Sequence, residues 1–160
     1  MNQNPDLLEP VQHGSAMFPL EYYPCVFPLG TGSLPVHWHE EFEITYVRKG
    51  SCTYQIDLQS YHITEGDFLL LPPEMLHGTV EQSQAEFITD SFVFRLDMLE
   101  SSIPDFCTTR FFVPLASGTI RFPVHLPASD PVVPLLLESF ETVRKAVSYT
   151  HLTLPTILRV

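Results

Sequence analysis

The fold of this 160-residue chain is decided by residues 36–47, which read VHWHEEFEITYV. On an extended strand, residues two apart point to the same face of a sheet and lie about 6.6–6.8 Å apart. The imidazoles of His37 and His39 can therefore lean toward one point. Glu43 has the same parity, but a straight strand would carry it roughly 13 Å beyond His39, so we expect the chain to bend near residues 40–41.

The residues after this bend are typical of a strand that ends in a turn. Residues 42–47 are rich in β-branched and aromatic side chains, and Gly50 follows two basic residues. A second strand is predicted at residues 68–71, where two prolines close it, and His77 follows that corner. Two hairpins are thus expected to bring four side chains into one pocket: His37, His39, Glu43 and His77.

The spacing of these residues resembles the two sequence motifs of the cupins. The first motif is matched by His37-x-His39-x3-Glu43-x6-Gly50 and the second by Gly66-x5-Pro72-x4-His77. The match departs from the family pattern at three positions, which in this chain are Gly32, Glu74 and Glu81. Glu74 stands where the second motif has a glycine, and a Cβ at such a turn position changes the backbone beside the pocket. We therefore expect an altered geometry for any metal held there.

A wider resemblance is carried by residues 36–47, 61–73 and 92–96. Through them, residues 18–145 resemble the amino-terminal sensor domain of AraC-type transcriptional regulators. The resemblance implies an all-β cupin jelly-roll barrel that binds a small effector, often a sugar. It also implies a helical segment that pairs two subunits and a separate carboxy-terminal domain with helix-turn-helix units that binds DNA. The sequence contains no recognisable DNA-binding domain of this kind.

Four segments are expected along the chain: an arm at residues 1–17, the cupin effector-binding domain at 18–128, a truncated dimerisation or linker helix at 129–146, and a tail at 147–160. The helix is predicted from an N-cap and a first-turn proline, followed by apolar residues at helical spacing. It either covers the barrel or offers a dimer face, and the resemblance favours the dimer. The resemblance also implies that the arm can fold over bound effector. The aromatic residues after the arm form a strand that seals the barrel or a surface for a sugar ring.

The tail has an unusual sequence. Residues 147–156, VSYTHLTLPT, are encoded codon for codon by a transposase-type sequencing adapter, GTC TCT TAT ACA CAT CTG ACG CTG CCG ACG. We interpret residues 147–160 as translated adapter, with the DNA-binding half of the protein lost beyond about Ala146, and we exclude them from the fold prediction. The alternative is a genuine terminal strand. A native reading frame that continues through Val160 would refute the adapter interpretation.

Composition restricts the class of protein. The length and the 44% of hydrophobic residues suit one domain with a buried core. The formal charge of −11 leaves no electrostatic footprint for phosphates, so this chain is not expected to bind DNA itself. Three cysteines without Cys-x-x-Cys spacing predict neither a disulfide framework nor a structural zinc site, which favours a cytoplasmic setting. No signal peptide or membrane span is recognisable.

The four predicted pocket residues are compatible with three kinds of chemistry. Three imidazoles and a carboxylate suit iron, manganese, nickel or zinc, with two positions left open on a six-coordinate ion. The same groups without metal would hydrogen-bond the hydroxyls of an effector. They could also simply fill the barrel and satisfy one another. His13, His62 and His125 are expected to be surface or packing residues.

The predicted function is therefore small-molecule sensing and dimerisation for an AraC-type regulator, with no catalytic residue and no required cofactor. The effector, a second copy of the chain and, through the missing domain, DNA are the expected partners. The alternative is a stand-alone cupin metalloenzyme, an oxygenase or sugar isomerase, with the four residues as metal ligands.

Overall fold

The structure is a computed structural model that describes residues 4–27, 34–80, 86–100, 103 and 105–157. Within these ranges the strands are β1 (Leu20–Phe27), β2 (Phe42–Lys49), β3 (Ser51–Ile56), β4 (Gln59–Thr64), β5 (Phe68–Leu71), β6 (His77–Thr79), β7 (Phe87–Phe94) and β8 (His125–Leu126). The α-helices are α1 (Val113–Ala116) and α2 (Val133–Ile157), and short helical turns lie at Pro5–Leu7, Leu96–Leu99 and Thr108–Phe112. The all-β class with a carboxy-terminal helix, predicted from the sequence, is confirmed.

The strands form two antiparallel sheets. One has five strands in the order β1-β7-β2-β5-β8, and the other has three in the order β4-β3-β6. A buried cluster joins the two sheets, because it contains side chains from β2, β5 and β7 together with side chains from β3 and β4. The inner core of the barrel therefore lies between the sheets. Its members are Val47, Cys52, Tyr54, Ile56, Ile63, Leu69, Leu71 and Phe87.

Strand β2 is covered on both of its faces. Successive side chains of a strand point to opposite faces, so Phe42, Ile44 and Tyr46 face one way while Glu43 and Thr45 face the other. The first set belongs to an aromatic cluster with α2, and the second is buried with the inner core. This alternation explains why Glu43 and Thr45 are buried although they are polar. They line the interior of the barrel.

Helix α2 covers the outer face of the five-stranded sheet. The ring of Phe140 lies 4.6 Å from that of Phe92 and 5.6 Å from that of Phe68, centroid to centroid. The helix begins at Val133, after a turn in which the Asp130 carboxylate accepts a hydrogen bond of 2.9 Å from the backbone N–H of Val132. The start is thus a few residues later than the proline turn predicted. Of the two roles foreseen for this helix, covering the barrel is observed.

The packing of α2 is not complete. An apolar cavity of about 210 Å³ remains between the helix, the sheet and the turn at Leu96–Leu99. Its walls include Ile44, Phe92, Met98 and Val143. The helix continues to Ile157, past the end predicted at residue 146. None of the helices described is long and apolar enough to cross a membrane.

The described part of the arm, from Asn4, lies along the chain that precedes β2. The backbone N–H of Trp38 donates to the carbonyl of Leu7 at 3.0 Å, and the N–H of Glu9 donates to the carbonyl of Trp38 at 2.9 Å. The indole N–H of Trp38 donates to the carbonyl of Asn4 at 2.9 Å. The aromatic residues that follow the arm form β1, which pairs with β7. The prediction of a first strand at that point is therefore correct.

Candidate functional site

The backbone brings two of the four predicted residues together directly. His37 and His77 form an isolated antiparallel bridge, with N–H to carbonyl distances of 2.9 Å in both directions. Gly78 allows this close approach, because a Cβ at its position would lie 2.8 Å from the Cα of Val36. The segment that carries His37 is thereby seated against β6.

The three predicted histidines form one cluster. The ring centroids of His37 and His77 are 4.3 Å apart, those of His39 and His77 are 5.1 Å apart, and those of His37 and His39 are 5.9 Å apart. One nitrogen from each ring can be chosen so that all three lie within 4.8 Å of one another. The bend expected before β2 makes this convergence possible, since it turns His37 and His39 back over the end of the barrel.

The carboxylate of Glu43 contacts two of these imidazoles. Its Oε2 lies 3.1 Å from Nε2 of His39 and 3.4 Å from Nε2 of His77. Its Oε1 accepts a hydrogen bond of 2.6 Å from the hydroxyl of Thr45, which lies 2.7 Å from the hydroxyl of Ser91. Because the Thr45 proton is used toward Glu43, Ser91 must donate to Thr45. Thr45 and Ser91 are not among the residues predicted for the site. The parity of Thr45 with Glu43 could have indicated that both side chains lie on the same face of β2.

A backbone carbonyl holds each of the three rings. The Nδ1 of His37 lies 2.8 Å from the carbonyl of Pro35, that of His39 lies 3.1 Å from Glu41, and that of His77 lies 2.8 Å from Met75. A carbonyl only accepts, so each Nδ1 carries a proton. Each Nε2 is therefore left to face the common pocket, where it is either protonated toward a carboxylate or free to ligate a metal. Protons and a metal ion would compete for the same nitrogens.

The charges within the pocket are coupled. Burial favours the neutral form of Glu43, but the hydrogen bond from His39, the contact with His77 and the hydrogen bond from Thr45 outweigh it and hold the Glu43 pKa well below its usual value. Burial lowers the pKa of His77, yet the proximity and charge of Glu43 raise it above its usual value. The pKa of His37 is lowered, first by burial and then by the charge of His77. Glu43 is thus the anion around which the imidazoles are arranged.

The arm adds two residues that the sequence analysis did not assign to the site. His13 is 5% exposed and packs its ring 5.4 Å from that of His39. The Nε2 of His13 lies 3.2 Å from Oε2 of Glu9, and the same oxygen lies 3.7 Å from Nε2 of His37. On the other side of the ring, Nδ1 of His13 is 2.9 Å from the hydroxyl of Tyr23. His13 is thus buried at the edge of the pocket. No periodicity in the arm could have indicated this position.

The remaining candidates from the sequence lie elsewhere or act through the backbone. His125 pairs with Asp67 at 2.9 Å, and His62 is exposed on β4. Glu74 has a φ of +63°, so it keeps the left-handed turn that the glycine of the motif would adopt. The backbone N–H of Glu74 donates to the carbonyl of His39 at 2.8 Å, and the turn thereby supports the pocket.

The donor set suits a transition-metal ion. Nε2 of His77 is fully buried, and its nearest acceptor is 3.4 Å away, beyond a well-formed hydrogen bond. Three imidazole nitrogens with protonated Nδ1 atoms and an adjacent carboxylate are a common ligand set for iron, manganese, nickel and zinc. The same atoms can instead bind the polar groups of an organic molecule.

The chain is similar to known proteins over much of its length. The family model of the AraC-like ligand binding domain matches residues 31–150. The uncharacterized HTH-type transcriptional regulator YdeC of Bacillus subtilis (strain 168) is 27% identical over 82 residues, which are 51% of this chain and 28% of that protein. The chain therefore spans about a quarter of that relative's length.

Two solved structures show partial similarity. A Cupin 2 conserved barrel domain protein from Salinispora arenicola CNS-205 is 27% identical, with a TM-score of 0.45 over 51% of this chain and 67% of that one. An RmlC-like cupin from Shewanella frigidimarina NCIMB 400 is 23% identical, with a TM-score of 0.44 over 48% of this chain and 67% of that one.

Proposed function

The chain belongs to the AraC-like ligand binding domain family, and we propose that it binds a small effector on behalf of a bacterial transcriptional regulator. One observation carries the proposal: His37, His39 and His77 bring ring nitrogens within 4.8 Å of one another, and the Glu43 carboxylate lies 3.1 and 3.4 Å from two of these rings. Four polar side chains that converge in a largely apolar barrel are typical of a ligand site. Their hydrogen bonds to backbone carbonyls and to Thr45 hold them in place before the ligand arrives.

The pocket is suited to a small polar molecule. Glu43 offers carboxylate oxygens as acceptors, and the imidazoles offer donors or acceptors according to their protonation. A sugar, whose hydroxyls both donate and accept, is an effector of the kind that the resemblance to AraC-type sensor domains implies. Recognition of this kind requires no chemical step, in agreement with a sensor rather than an enzyme.

Regulation would follow from the elements that touch the pocket and the sheet. The arm contacts the site, and α2 covers the outer face of the strands that carry it. Binding that shifts either element would alter the geometry of a DNA-binding domain attached beyond the helix. In this proposal the chain acts as a homodimer in the cytoplasm and reaches DNA only through that further domain.

The proposal is tested by screening small polar metabolites for binding and then repeating the titration with variants. We expect His77→Ala to weaken binding of the identified effector by about tenfold or more, since it removes a buried contact worth roughly 1.4 kcal/mol or more. His62→Ala, which removes an exposed histidine on β4, is the matched control and should bind as the parent does. Effector binding that is indifferent to His77→Ala would contradict the proposal.

A second candidate function is a metal-dependent cupin enzyme. It is favoured by the three Nε2 atoms of His37, His39 and His77, which their carbonyl partners orient toward one point beside Glu43. A metal bound there would act as a Lewis acid toward a substrate oxygen. Elemental analysis of the purified protein, combined with an assay for turnover, distinguishes the two. Stoichiometric iron or manganese with turnover of a small molecule would favour the enzyme, and a helix-turn-helix coding region downstream of the gene would favour the regulator.

A further inference from the structure

Two carboxylates share the imidazoles of the pocket in pairs. Glu43 faces the Nε2 atoms of His39 and His77, at 3.1 and 3.4 Å. Glu9 faces the Nε2 atoms of His13 and His37, at 3.2 and 3.7 Å. Each of these two carboxylate positions thus faces two rings, whereas a third carboxylate, that of Glu41, lies 3.9 Å from Nδ1 of His39.

The two positions differ in how firmly their carboxylate is held. Glu43 belongs to the central strand β2, and its side chain is 11% exposed. Glu9 lies on the arm and its side chain is 30% exposed, so water reaches it. The arm that carries Glu9 is tied to the site by hydrogen bonds with Trp38 and by the contacts of His13 with Glu9 and Tyr23. Glu9 is therefore the carboxylate that a ligand can replace.

We propose that Glu9 is a tethered stand-in for the carboxylate of the effector, and that the pocket takes a small organic acid that displaces Glu9 from His13 and His37. This inference rests on the proposed effector-binding function, because it names the chemical class that this site accepts. A hydroxylated acid such as a sugar acid would also offer hydroxyl donors to the oxygens of Glu43.

The arrangement favours an acid over a neutral sugar. A neutral ligand that displaced Glu9 would take away the carboxylate oxygen that lies 3.2 Å from Nε2 of the buried His13, and a buried polar group that loses its partner is unfavourable. A carboxylate restores the interaction that it breaks.

The protein contains its own reporter for this exchange. Trp38 is the one tryptophan in the sequence, and it holds the arm through both its backbone and its indole N–H. Displacement of Glu9 loosens the arm beside this ring. The emission of Trp38 should then shift to longer wavelength as water reaches the indole.

The test compares matched acids and neutral sugars on the whole chain at pH 7. Acetate serves as the minimal carboxylate, and galacturonate is paired with galactose. Galacturonate should bind and shift the Trp38 emission, whereas galactose should bind at least tenfold more weakly. Glu9→Gln removes the tethered anion and should tighten galacturonate and acetate binding by roughly tenfold, the factor expected when the arm occupies the site about nine-tenths of the time. Asp6→Asn, which removes an exposed charge from the same arm, is the control and should leave both affinities unchanged.

The outcomes separate this inference from the function on which it rests. Equal binding of galactose and galacturonate, or acetate and galacturonate affinities that Glu9→Gln leaves unchanged, would overturn the assignment of an acid. The sensor proposal would survive that result if a neutral effector still bound in a manner sensitive to His77→Ala. If His77→Ala did not change the affinity for the effector found by screening, the proposed effector site itself would be wrong. Thermal unfolding of Glu9→Gln confirms that the variant remains folded.

Discussion

At the scale of single residues, Asp67 joins three separate parts of the chain through one buried carboxylate. It accepts hydrogen bonds from the backbone N–H of Thr64 at 2.9 Å, from that of Ala128 at 2.8 Å and from Nε2 of His125 at 2.9 Å. These contacts tie the turn after β4 to β8 and to the approach to α2. Asp67 therefore links the end of β4, β8 and the segment that leads to α2.

We predict that Asp67→Asn lowers the free energy of unfolding by about 2–3 kcal/mol at pH 7, since an amide cannot replace hydrogen bonds to a charged acceptor. Denaturation by urea measures the change. Asp57→Asn is the matched control. Asp57 has a φ of +51°, a conformation that asparagine tolerates, so its replacement should change stability by no more than about 0.5 kcal/mol.

The Asp67 effect should depend on pH. Burial alone raises the pKa of Asp67, but hydrogen bonds from Thr64, His125 and Ala128 lower it below the usual value. A carboxylate with a lowered pKa stabilises the fold above its unfolded pKa of about 3.9, and this contribution is lost as the pH falls through the folded value. The difference between the parent and Asp67→Asn should thus shrink between about pH 5 and pH 3. A difference that stayed constant over this range would contradict the assignment.

Strand parity and motif spacing predicted that His37, His39, Glu43 and His77 converge, and the contacts among them agree, because local backbone geometry determines which side chains share a face. That these residues bind a ligand stays a prediction. They were not sufficient to place Glu9 or His13 there. The arm reaches the site through backbone bonds to Trp38, and such bonds leave no pattern in the sequence. Glu74 shows a related limit. Its identity suggested a changed backbone, whereas the surrounding contacts hold it in the left-handed turn at a cost of about 1–3 kcal/mol.

At the scale of elements, Phe140 is a buried aromatic side chain through which α2 packs on the sheet. Phe140 contacts Tyr46, Phe68 and Phe92, with centroid distances between 4.6 and 6.1 Å. Because these partners come from three different strands, Phe140 connects the helix to the middle of the sheet. The cavity beside it shows that the neighbouring contacts are less complete.

We predict that Phe140→Ala lowers the free energy of unfolding by about 3–5 kcal/mol, the usual result of removing a buried phenylalanine. Hydrogen exchange should also become faster along α2, because the helix loses its main contact with the sheet. The control is Phe106→Ala, which makes the same change at a side chain that is 72% exposed. Equal decreases in the free energy of unfolding for the two variants would show that Phe140 does not anchor the helix.

The helix was predictable as an element, whereas its role was not. Proline, an N-cap residue and apolar residues at helical spacing indicated a helix near residue 130, and the structure has one from Val133. The same apolar residues would serve equally to cover a sheet or to meet a second subunit. Only the position of the aromatic partners on β2, β5 and β7 shows that one side of α2 packs on the barrel.

At the scale of the whole molecule, the histidine cluster and the helix lie on opposite sides of one sheet. Glu43 reaches the cluster from the inner face of the five-stranded sheet, and the outer face of that sheet carries α2. The formal charge of −11 is unfavourable for contact with the phosphates of DNA. The two-sheet fold was predictable because short alternating strands and glycine or proline turns can be recognised in a single sequence. The oligomeric state was not predictable, because the sequence of a dimer face resembles that of any other apolar surface.

A dimer is nevertheless a specific prediction for this chain. Three apolar side chains at the start of α2 or on it remain exposed in the single chain: Val132 at 45%, Leu135 at 64% and Val143 at 40%. If a second copy buries them, sedimentation of the parent protein at micromolar concentration should show a dimer. Leu135→Glu should then weaken the dimer by about 30-fold or more, as expected when a contact worth roughly 2 kcal/mol is lost from the centre of an interface.

The control for the dimer is an exposed leucine away from α2. Leu58, in the turn between β3 and β4, is 96% exposed, so Leu58→Glu introduces the same charge without touching the helix. The parent and Leu58→Glu should sediment alike, and Leu135→Glu should shift toward the monomer while it keeps the unfolding midpoint of a folded barrel. A parent protein that stayed monomeric at 100 micromolar, a concentration roughly a hundredfold above a micromolar dissociation constant, would show that α2 serves only to cover the sheet.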